Sequence, residues 1–400
     1  MIDTKVYNLY DLINLHGAPD ALIDNHSMEY GYAVWGFDDI YSYTVTDKLN
    51  DHDPFDNLQE FFNRLDLFES DVKAVGFLSY DIKNFLYNHI NFKSILNLKF
   101  PLIWFGKPKK ILRYDLQSDH LKSEERFLDL YRDIKDLSVY RALIQKIKNQ
   151  LEQGNTYQIN LTMNKIFTSI KSPLDIYLSI RNYAKPDFGY FLNIGSKYIL
   201  SFSPEEFFNT KQNQIYTYPM KGTIKRKSNN SLDMALKQKL KNSKKDKSEH
   251  VMIVDLLRND LGKICEYGSI NVTDLFNIKS YPTVHQMVSC IDGKLKSDTR
   301  YVDIFKALCP GGSITGAPKE SSMRIIDRLE DYNREVYTGN IGYLDGDGNM
   351  HFNMAIRTMM IVENFIKYCV GGGIVWDSIA EDEWKEAQLK SKILDQFIRR

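Results

Sequence analysis

Residues that can act as an acid and as a nucleophile lie near the middle of the chain. Ser203-Pro204-Glu205-Glu206 follows a predicted strand, and Lys221 ends a later predicted strand, in TYPMKGTIKR. If the two strands form a hairpin, a carboxyl group and an amine face one pocket, which would pair a general acid with a nucleophile. The same spacing is also typical of a cross-strand salt bridge on an exposed face.

Two acidic pairs lie on two predicted helices. Asp246 and Glu249 are three residues apart in one helix, and Glu383, Glu386 and Lys390 follow three- and four-residue steps in the C-terminal helix. Each set therefore shares one helix face. Carboxylate oxygens from two helices suit a hard divalent cation such as Mg²⁺, which keeps waters that a substrate carboxylate can replace. Each pair alone is typical of a solvated face, so only the two together indicate a metal site.

Two glycine-rich segments and one arginine complete the set of candidate binding residues. The segments are PGGSITGAPK, from Pro310 to Lys319, and GGG at Gly371 to Gly373. Neither matches a Walker loop or a dinucleotide-binding fingerprint. Both are interpreted either as close-approach sites for backbone N–H groups against a carboxylate or as tight turns. Arg357, between apolar neighbours, is predicted to be partly buried and to need an anion.

The elements that position these residues change character along the chain. Up to about residue 125, short apolar runs alternate with polar turns, which is a β-rich pattern. The charged stretch from Asp115 to Asp136 is predicted to contain a domain boundary, with a β-rich region at 1–125 and a second domain at 126–400. After it, Ser138 is predicted to cap a helix that ends at Gly154.

Strands and helices then follow one another irregularly. YQINLTMNKIF, YFLNIG, KYILSF and QIYTYPM are typical of strands, whereas DMALKQKLKNSK and SEHVMIVDLLRNDLGKI are typical of helices. Because the two types do not alternate regularly, the pattern predicts an α+β (mixed α/β) fold and not a doubly wound sheet.

Composition limits the classes of partner. The 400 residues are 43% apolar and contain 52 Lys plus Arg and 52 Asp plus Glu, so the chain has no net field that would attract nucleic acid or an anionic membrane. The lysine-rich run from Lys237 to Lys247 lacks aromatic residues and is interpreted as a solvated helix face, with nucleic-acid binding as the alternative. Four scattered cysteines and the lack of a long apolar run predict a cytoplasmic protein with reduced thiols.

Eight motifs in the second half of the chain resemble those of the chorismate-binding enzymes. They are SPE, KGT, EHVMIVDLLRNDLGK, PGGSITGAPK, YTGNIGY, AIRT, GGGIVWDS and ExxExxxxK. The family includes component I of anthranilate synthase and of aminodeoxychorismate synthase, together with isochorismate and salicylate synthases. The resemblance runs from about Tyr140 to the C-terminus, and it implies two large β-sheets packed together and flanked by helices.

The resemblance also implies roles for individual residues. Lys221 would be a nucleophile, Glu205 the general acid, and His285 a histidine beside the substrate ring. Mg²⁺ would be held by Glu249, Glu383 and Glu386, with Asp246 as a further candidate. The residues implied in binding chorismate are Gln158, Thr223, Ser313, Thr315, Tyr337, Arg357, Gly371, Gly372, Gly373 and Lys390.

Two positions separate branches of the family. Members that add water carry a lysine base where this sequence has Gln158, and an amide cannot deprotonate water. Lys221 resembles the lysine of aminodeoxychorismate synthases, where anthranilate synthases usually have alanine. The resemblance therefore implies formation of 4-amino-4-deoxychorismate for 4-aminobenzoate and folate biosynthesis. Anthranilate synthase component I is the alternative activity, and a catalytically silent chorismate-binding subunit is an alternative of another class.

The amino group must then come from another source. None of the four cysteines, Cys265, Cys290, Cys309 and Cys369, lies in the Gly-x-Cys-x-Gly setting of a glutaminase nucleophile. The resemblance implies a separate glutamine amidotransferase subunit that delivers ammonia.

Overall fold

The computed structural model describes residues 5–25, 28–46, 53–67, 71–93, 95, 97–117, 125–133, 136–280 and 284–399. Parts of the charged stretch around the predicted domain boundary, 118–124 and 134–135, lie outside the described residues. Within the described part of the chain there are nineteen strands and ten α-helices. The predicted mixture of helices and strands is therefore confirmed.

The strands are β1 (Val6–Tyr7), β2 (Ala21–Asn25), β3 (Tyr30–Tyr43), β4 (Val72–Leu78), β5 (Ile103–Asp115), β6 (Asp129–Arg132), β7 (Gln158–Thr168), β8 (Phe188–Asn193), β9 (Lys197–Ser203), β10 (Glu206–Lys211), β11 (Gln214–Thr217), β12 (Met220–Lys225), β13 (Asn271–Ser280), β14 (Val284–Lys294), β15 (Gly316–Ala317), β16 (Asn340–Asp345), β17 (Met350–Met354), β18 (Thr358–Val362) and β19 (Phe365–Ile374). The helices are α1 (Leu9–His16), α2 (Pro54–Asn63), α3 (Lys83–Leu86), α4 (Leu137–Glu152), α5 (Pro173–Ala184), α6 (Asn230–Asn242), α7 (Lys244–Leu261), α8 (Tyr301–Leu308), α9 (Lys319–Leu329) and α10 (Ala380–Lys390).

Local sequence accounts for the ends of these elements. The first helix after the charged stretch, α4, begins one residue earlier than its predicted Ser138 cap, because Asp136 is the N-cap. The Asp136 carboxylate accepts hydrogen bonds from the backbone N–H groups of Ser138 and Val139. At the other end, Gly154 adopts the left-handed conformation, with φ 71°, just after the helix.

The strands form one hydrogen-bonded network with two halves. In one half, β4, β16, β17, β10, β11 and β14 pair with one another in that order. Both β12 and β13 also pair with β14. The other half contains β2, β8, β9, β18, β19, β7 and β6 in order. The long strands β3 and β5 link the halves, because β3 pairs with β2 and β5, and β5 pairs with β4.

Three apolar clusters hold the two halves and the helices together. The central cluster contains residues from both halves, for example Phe77 of β4 and Met360 of β18, so the halves pack face to face. A second cluster lies between the first half and α7 and α8, including Phe352 and Leu257. A third lies between the other half and α4 and α5, including Ile144. The helices therefore flank two packed layers of strands, as the sequence resemblance implied.

Strand pairing crosses the predicted domain boundary. β2 pairs with β8, and β4 pairs with β16, so strands from 1–125 are hydrogen-bonded to strands from 126–400. The division into two domains stays a prediction. No helix in the described part of the chain combines the length and apolar character needed to span a lipid bilayer.

Candidate active site

Glu205 lies in the short connection between β9 and β10. Its backbone N–H donates to the Ser203 hydroxyl at 3.2 Å, and its carbonyl accepts from the Met354 N–H at 3.0 Å. The hairpin considered between the strand before Glu205 and the Lys221 strand does not form, since β9 pairs with β8 and β18 whereas β12 pairs with β14. The two side chains converge through the packing of separate strands, and the positive charge of Lys221 acts directly on the Glu205 carboxyl.

The neighbouring carboxyls of Glu205 and Glu206 enter different environments. The Ser313 hydroxyl donates to Glu205 Oε1 at 3.2 Å, and Glu206 Oε1 instead accepts from the Asn209 side chain at 2.8 Å. Burial raises the pKa of Glu205 to about 7, against the opposing effects of Lys221 and the Ser313 hydrogen bond. Glu205 can therefore carry a proton near neutral pH, as a general acid requires.

Lys221 lies on β12 at a break in the strand ladder. The register with β14 shifts between Lys221 and Thr223, and Gly222 adopts a φ of 66°, which favours glycine. A Cβ on Gly222 would lie 3.0 Å from the Asp246 carboxylate, so this glycine also lets α7 approach the strand. Burial lowers the pKa of the Lys221 ammonium, although the carboxylates of Glu249 and Glu205 oppose the shift.

The acidic residues of α7 and α10 face one another across this site. Burial raises the pKa of Glu249, and its neighbours include Lys221, Asp246 and Glu383. Burial also raises the pKa of Glu383, whose Oε1 accepts from the Ser378 hydroxyl at 2.7 Å. The two predicted pairs therefore form one electrostatic cluster, as the cation hypothesis requires.

Lys390 ties the C-terminal helix to the glycine strand. Its Nζ lies 2.8 Å from Glu386 Oε1 and donates to the carbonyl oxygen of Gly371 at 2.8 Å. The ion pair with Lys390 lowers the pKa of Glu386. Glu386 thus has a closer cationic partner than Glu249, whose Oε1 lies 3.9 Å from Lys245 Nζ.

The glycines at Gly371 to Gly373 form no turn. They extend β19 and pair with β7, where Gly371 lies opposite Thr162 and Gly373 opposite Asn160. A Cβ on Gly372 would lie 3.7 Å from Glu383 Oε2, and a Cβ on Gly373 would lie only 2.8 Å from the Gln158 amide nitrogen and 3.3 Å from Lys221 Nζ. Side chains here would fill the space between Lys221 and the acidic helix, so the glycines keep that space open.

The acidic cluster fits a hard cation by its chemistry. Its donors are carboxylate oxygens only, and burial raises the pKa values of two of them, the partly buried Glu249 and the buried Glu383, a shift that a bound cation would reverse. Among the described residues, no three acidic, histidine or cysteine side chains are already gathered at metal-ligand spacing. Mg²⁺ therefore stays a proposal, with Glu386 held by Lys390 in the present arrangement.

Gln158 stands out as an unsatisfied polar side chain. It is the first residue of β7, it is fully buried, and neither its amide nitrogen nor its amide oxygen has a hydrogen-bond partner. Buried amides are normally satisfied, so an orphaned one beside Lys221 indicates a place for a polar ligand.

Most of the other predicted binding residues have structural partners or lie apart. Thr315 is buried, and its hydroxyl donates to the Gly311 carbonyl at 2.8 Å. Tyr337 is buried in the central core, and burial raises the pKa of its phenol. Thr223 lies at the exposed side of β12. Their roles in binding stay predictions.

Arg357 and His285 differ from the sequence-based expectations in their surroundings. The predicted partial burial of Arg357 is wrong: the residue is exposed, because the chain turns between β17 and β18 with a φ of 51° there. His285 is buried, but its Nε2 lies 3.1 Å from Asp233 Oδ1 of α6, and its Nδ1 is hydrogen-bonded to Ser280. The structure thus places His285 beside Asp233 and Ser280, and its catalytic role stays a prediction.

The sequence analysis did not assign roles to His250 or Ser378. His250 is fully buried on α7, its Nε2 is 2.7 Å from the Ser289 hydroxyl, and burial together with the charge of Lys221 lowers its pKa to about 4. Ser378 orients Glu383. His250 follows Glu249 directly, and Ser378 ends the GGGIVWDS motif, so proximity to assigned motifs was the available signal.

Comparison with known proteins identifies the family of the chain. The sequence profile of the chorismate binding enzyme family matches residues 18–396, which includes the β-rich N-terminal part. The match is longer than the motif resemblance, which began near Tyr140.

Named relatives come from two branches of that family. The chain is 32% identical over 342 residues to anthranilate synthase component 1 of Saccharolobus solfataricus, covering 81% of this chain and 80% of the relative. It is 39% identical over 259 residues to aminodeoxychorismate synthase component 1 of Escherichia coli, covering 64% of this chain and 57% of the relative. The matched part thus spans just over half the length of that second relative.

Solved structures agree on the fold. Anthranilate synthase component I from Streptococcus pneumoniae superposes with a TM-score of 0.79 at 24% identity and covers 93% of each chain. A putative 2,3-dihydroxybenzoate-specific isochorismate synthase from Bacillus anthracis gives a TM-score of 0.75 at 18% identity, covering 94% of this chain and 95% of that one.

Proposed function

Because the chain belongs to the family of chorismate binding enzymes, we propose that it converts chorismate and ammonia to 4-amino-4-deoxychorismate, the activity of aminodeoxychorismate synthase component 1. The observation that carries the proposal is the partly buried amine of Lys221, with a lowered pKa, near the protonatable carboxyl of Glu205. Neighbouring groups that shift an amine and a carboxyl toward neutrality are typical of a nucleophile and its acid.

The first step forms a covalent adduct. The free amine of Lys221 attacks C2 of chorismate, the ring double bonds shift, and the C4–O bond breaks. Glu205 gives its proton to the departing hydroxyl, which leaves as water. The Ser313 hydroxyl orients the Glu205 carboxyl for this transfer, and burial of Lys221 favours its free amine.

In the second step, ammonia bonds to the ring and the Lys221 nitrogen leaves it. The lone pair of ammonia forms a bond to C4, the double bonds shift back, and the C2–N bond breaks with its electron pair returning to Lys221. The Glu205 carboxylate then takes a proton from the new C4 ammonium group, which restores the starting acid. Two easier displacements thus replace one difficult displacement.

The acidic cluster and the glycine strand would bind the substrate. Glu249, Glu383 and Glu386 would hold Mg²⁺, which neutralises the ring carboxylate when bound. The open space at Gly372 and Gly373 would admit that carboxylate next to Lys221. The amide of Gln158, which lacks partners in the protein, would hydrogen-bond to the substrate or to ammonia.

Ammonia would come from a glutamine amidotransferase subunit, as the sequence resemblance implies. Relatives named aminodeoxychorismate synthase component 1 support this proposal, since the word component implies a second one. In that role the protein would act in 4-aminobenzoate and folate biosynthesis, in the cytoplasm.

A second candidate function is that of anthranilate synthase component I. It is favoured by the relative from Saccharolobus solfataricus, which covers more of this chain than the relatives from the other branch. The two activities differ at the position of Lys221, because an anthranilate synthase needs no lysine nucleophile there.

The deciding experiment incubates the protein with chorismate, ammonium chloride and magnesium chloride and separates the products. We expect 4-amino-4-deoxychorismate and no fluorescent anthranilate. In the absence of ammonium, mass spectrometry should detect a chorismate-derived mass on the peptide containing Lys221. Anthranilate as the main product, with no adduct on that peptide, would refute the proposal.

A further inference from the structure

Arg334 is a fully buried arginine in the connection between α9 and β16. Its guanidinium donates to the two carboxylate oxygens of Glu330 at 2.8 and 2.7 Å. It also donates to the carbonyl oxygens of Asn160 at 2.7 Å and Ile314 at 2.8 Å, and to the Thr338 hydroxyl at 3.4 Å. These five contacts use all five N–H groups of the side chain. One buried cation therefore joins several segments that are distant in the sequence.

One of these segments is β7, the strand that pairs with the glycine segment of β19. Glu330 follows the last turn of α9, and its Oε1 also accepts from the Thr162 backbone N–H at 2.9 Å and from the Thr162 hydroxyl at 2.8 Å. Arg334 itself bonds to the Asn160 carbonyl. The buried pair of Arg334 and Glu330 therefore fixes two positions of β7, at Asn160 and at Thr162.

Another segment is the short turn Gly312–Ile314, which carries Ser313. The Ile314 carbonyl accepts from Arg334 Nη1 at 2.8 Å and from the Asn160 amide nitrogen at 3.1 Å. Ser313 is the residue before Ile314, and its hydroxyl donates to Glu205 Oε1 at 3.2 Å. Arg334 thus holds the backbone one residue away from the hydroxyl that contacts the general acid.

The chemistry of this contact requires an arginine. A guanidinium points its N–H groups in five fixed directions, so it can reach Glu330, Asn160 and Ile314 at the same time. A lysine has one nitrogen and three N–H groups, and it cannot reach all three partners. The turn keeps internal contacts in either case, because the Thr315 hydroxyl donates to the Gly311 carbonyl. Replacing Arg334 by lysine should therefore shift the turn against β7 without unfolding it.

We propose that Arg334 is a positioning residue for the general acid: its bond to the Ile314 carbonyl holds Ser313 in hydrogen-bond contact with Glu205. The inference rests on the proposed function, in which Glu205 protonates the departing hydroxyl. The charged groups that act on the Glu205 carboxyl are Lys221 of β12 and Lys390 of α10, and replacement of Arg334 leaves both in place.

The first test is the pH profile of kcat for amination by Arg334→Lys. A hydrogen bond from Ser313 stabilises the Glu205 carboxylate and lowers its pKa, so loss of that bond should raise the pKa. Glu205 then stays protonated to higher pH, and the descending alkaline limb should move upward by roughly half a unit to one unit. The maximum kcat should fall by about tenfold or more, because the acid is misplaced.

Ser313→Ala tests the same bond from its other end. It should move the alkaline limb in the same direction and by a similar amount as Arg334→Lys. The double variant Ser313→Ala/Arg334→Lys should show no further movement, since both changes remove one interaction. A merely structural role of Arg334 would lower the stability of the protein and leave the position of the limb unchanged.

Two further variants separate positioning from folding. Arg334→Met combined with Glu330→Gln removes both buried charges and keeps an acceptor for Thr162, so it should fold even if Arg334→Lys does not, and it should show the same limb movement. Arg181→Lys is the matched control, because Arg181 is also buried and paired with a carboxylate, that of Asp24. It should lower the unfolding temperature and leave the pH profile unchanged.

The outcomes distinguish this inference from the proposed function. An alkaline limb that stays in place in the folded Arg334 variants but moves in Ser313→Ala would overturn the positioning role and leave the function standing. A limb that does not move in Ser313→Ala would also overturn it, because the bond to Glu205 would then not act during turnover. Failure of the unmodified protein to form 4-amino-4-deoxychorismate would refute the proposed function itself.

Discussion

Two regions of the protein bury polar or charged side chains, and they differ in the partners that the protein supplies to those groups. In one, Asp24 is fully buried and accepts hydrogen bonds from the phenols of Tyr114 and Tyr177, while Arg181 Nε lies 2.7 Å from its carboxylate. In the candidate active site, Gln158 is equally buried but has no partner, and Lys221 is held with a lowered pKa.

The difference separates a structural charge network from a reactive one. The Asp24 carboxylate is matched inside the protein by Tyr114, Tyr177 and Arg181, and these contacts join β2, β5 and α5. The groups around Lys221 are incompletely matched, so a ligand would complete them. Mutations should therefore reduce stability in the first region and activity in the second.

The largest expected effect is on activity and follows Lys221→Ala. Loss of the nucleophile should lower the amination rate by at least about a thousandfold, measured as kcat/KM with chorismate and ammonium. The free energy of unfolding should stay the same or rise, because a buried ammonium is removed. Lys225→Ala, on the exposed side of the same strand, is the control and should leave both quantities unchanged; equal activity in the two variants would contradict the nucleophile role.

The next effect is on stability and follows Asp24→Ala. Removing Asp24 breaks its buried ion pair with Arg181, so the free energy of unfolding in urea should fall by about 3–5 kcal/mol. The amination rate per folded molecule should not change. Asp39→Ala breaks an exposed pair with Arg64 and should change stability by less than about 1 kcal/mol. A stable but inactive Asp24→Ala protein would reverse the comparison between the regions.

A smaller effect is expected from Glu205→Gln, which should lower kcat by about a hundredfold. The rate needs protonated Glu205, a fraction that falls above a pKa of about 7, and free Lys221 amine, a fraction that rises with pH. The product of the two fractions is bell-shaped. Because the glutamine cannot lose a proton, the pH–rate profile of the variant should lose its descending alkaline limb and keep its ascending limb. A descending alkaline limb that persists in the variant would exclude Glu205 as the acid.

The smallest expected effects are on the free energy of unfolding, and they should have opposite signs when two buried polar side chains are replaced. Gln158→Leu removes an unsatisfied amide and should raise the free energy of unfolding by about 1 kcal/mol while activity falls. Tyr177→Phe removes a hydrogen bond to Asp24 and should lower the free energy of unfolding by about 1 kcal/mol, while activity persists. Destabilisation by Gln158→Leu would show that its amide has a partner within the protein.

Much of the site could be predicted because its residues lie at short, regular spacings. The spacing of Glu383, Glu386 and Lys390 is fixed by the helix period, and α10 presents them together. Because adjacent residues of an extended chain point to opposite sides, the side chains of Glu205 and Glu206 could likewise be expected to enter different environments. The N-cap of α4, Asp136, was missed by two residues because Asp136 and Ser138 are both good capping residues, and only hydrogen bonds reveal which one is used.

What the sequence could not supply depended on contacts between distant segments. Neither the pairing of β12 with β14 nor the contact between His285 and Asp233 has a local signal. The exposure of Arg357 follows from a backbone turn that its apolar neighbours do not indicate.

The sequence by itself determined the residue types, their helical and strand periods and the family, because these depend on neighbours along the chain. The tertiary structure decided which amine is buried, which carboxyl holds its proton and which amide lacks a partner. Burial and partner distance set those properties, and both arise only when strands far apart in the sequence pack together.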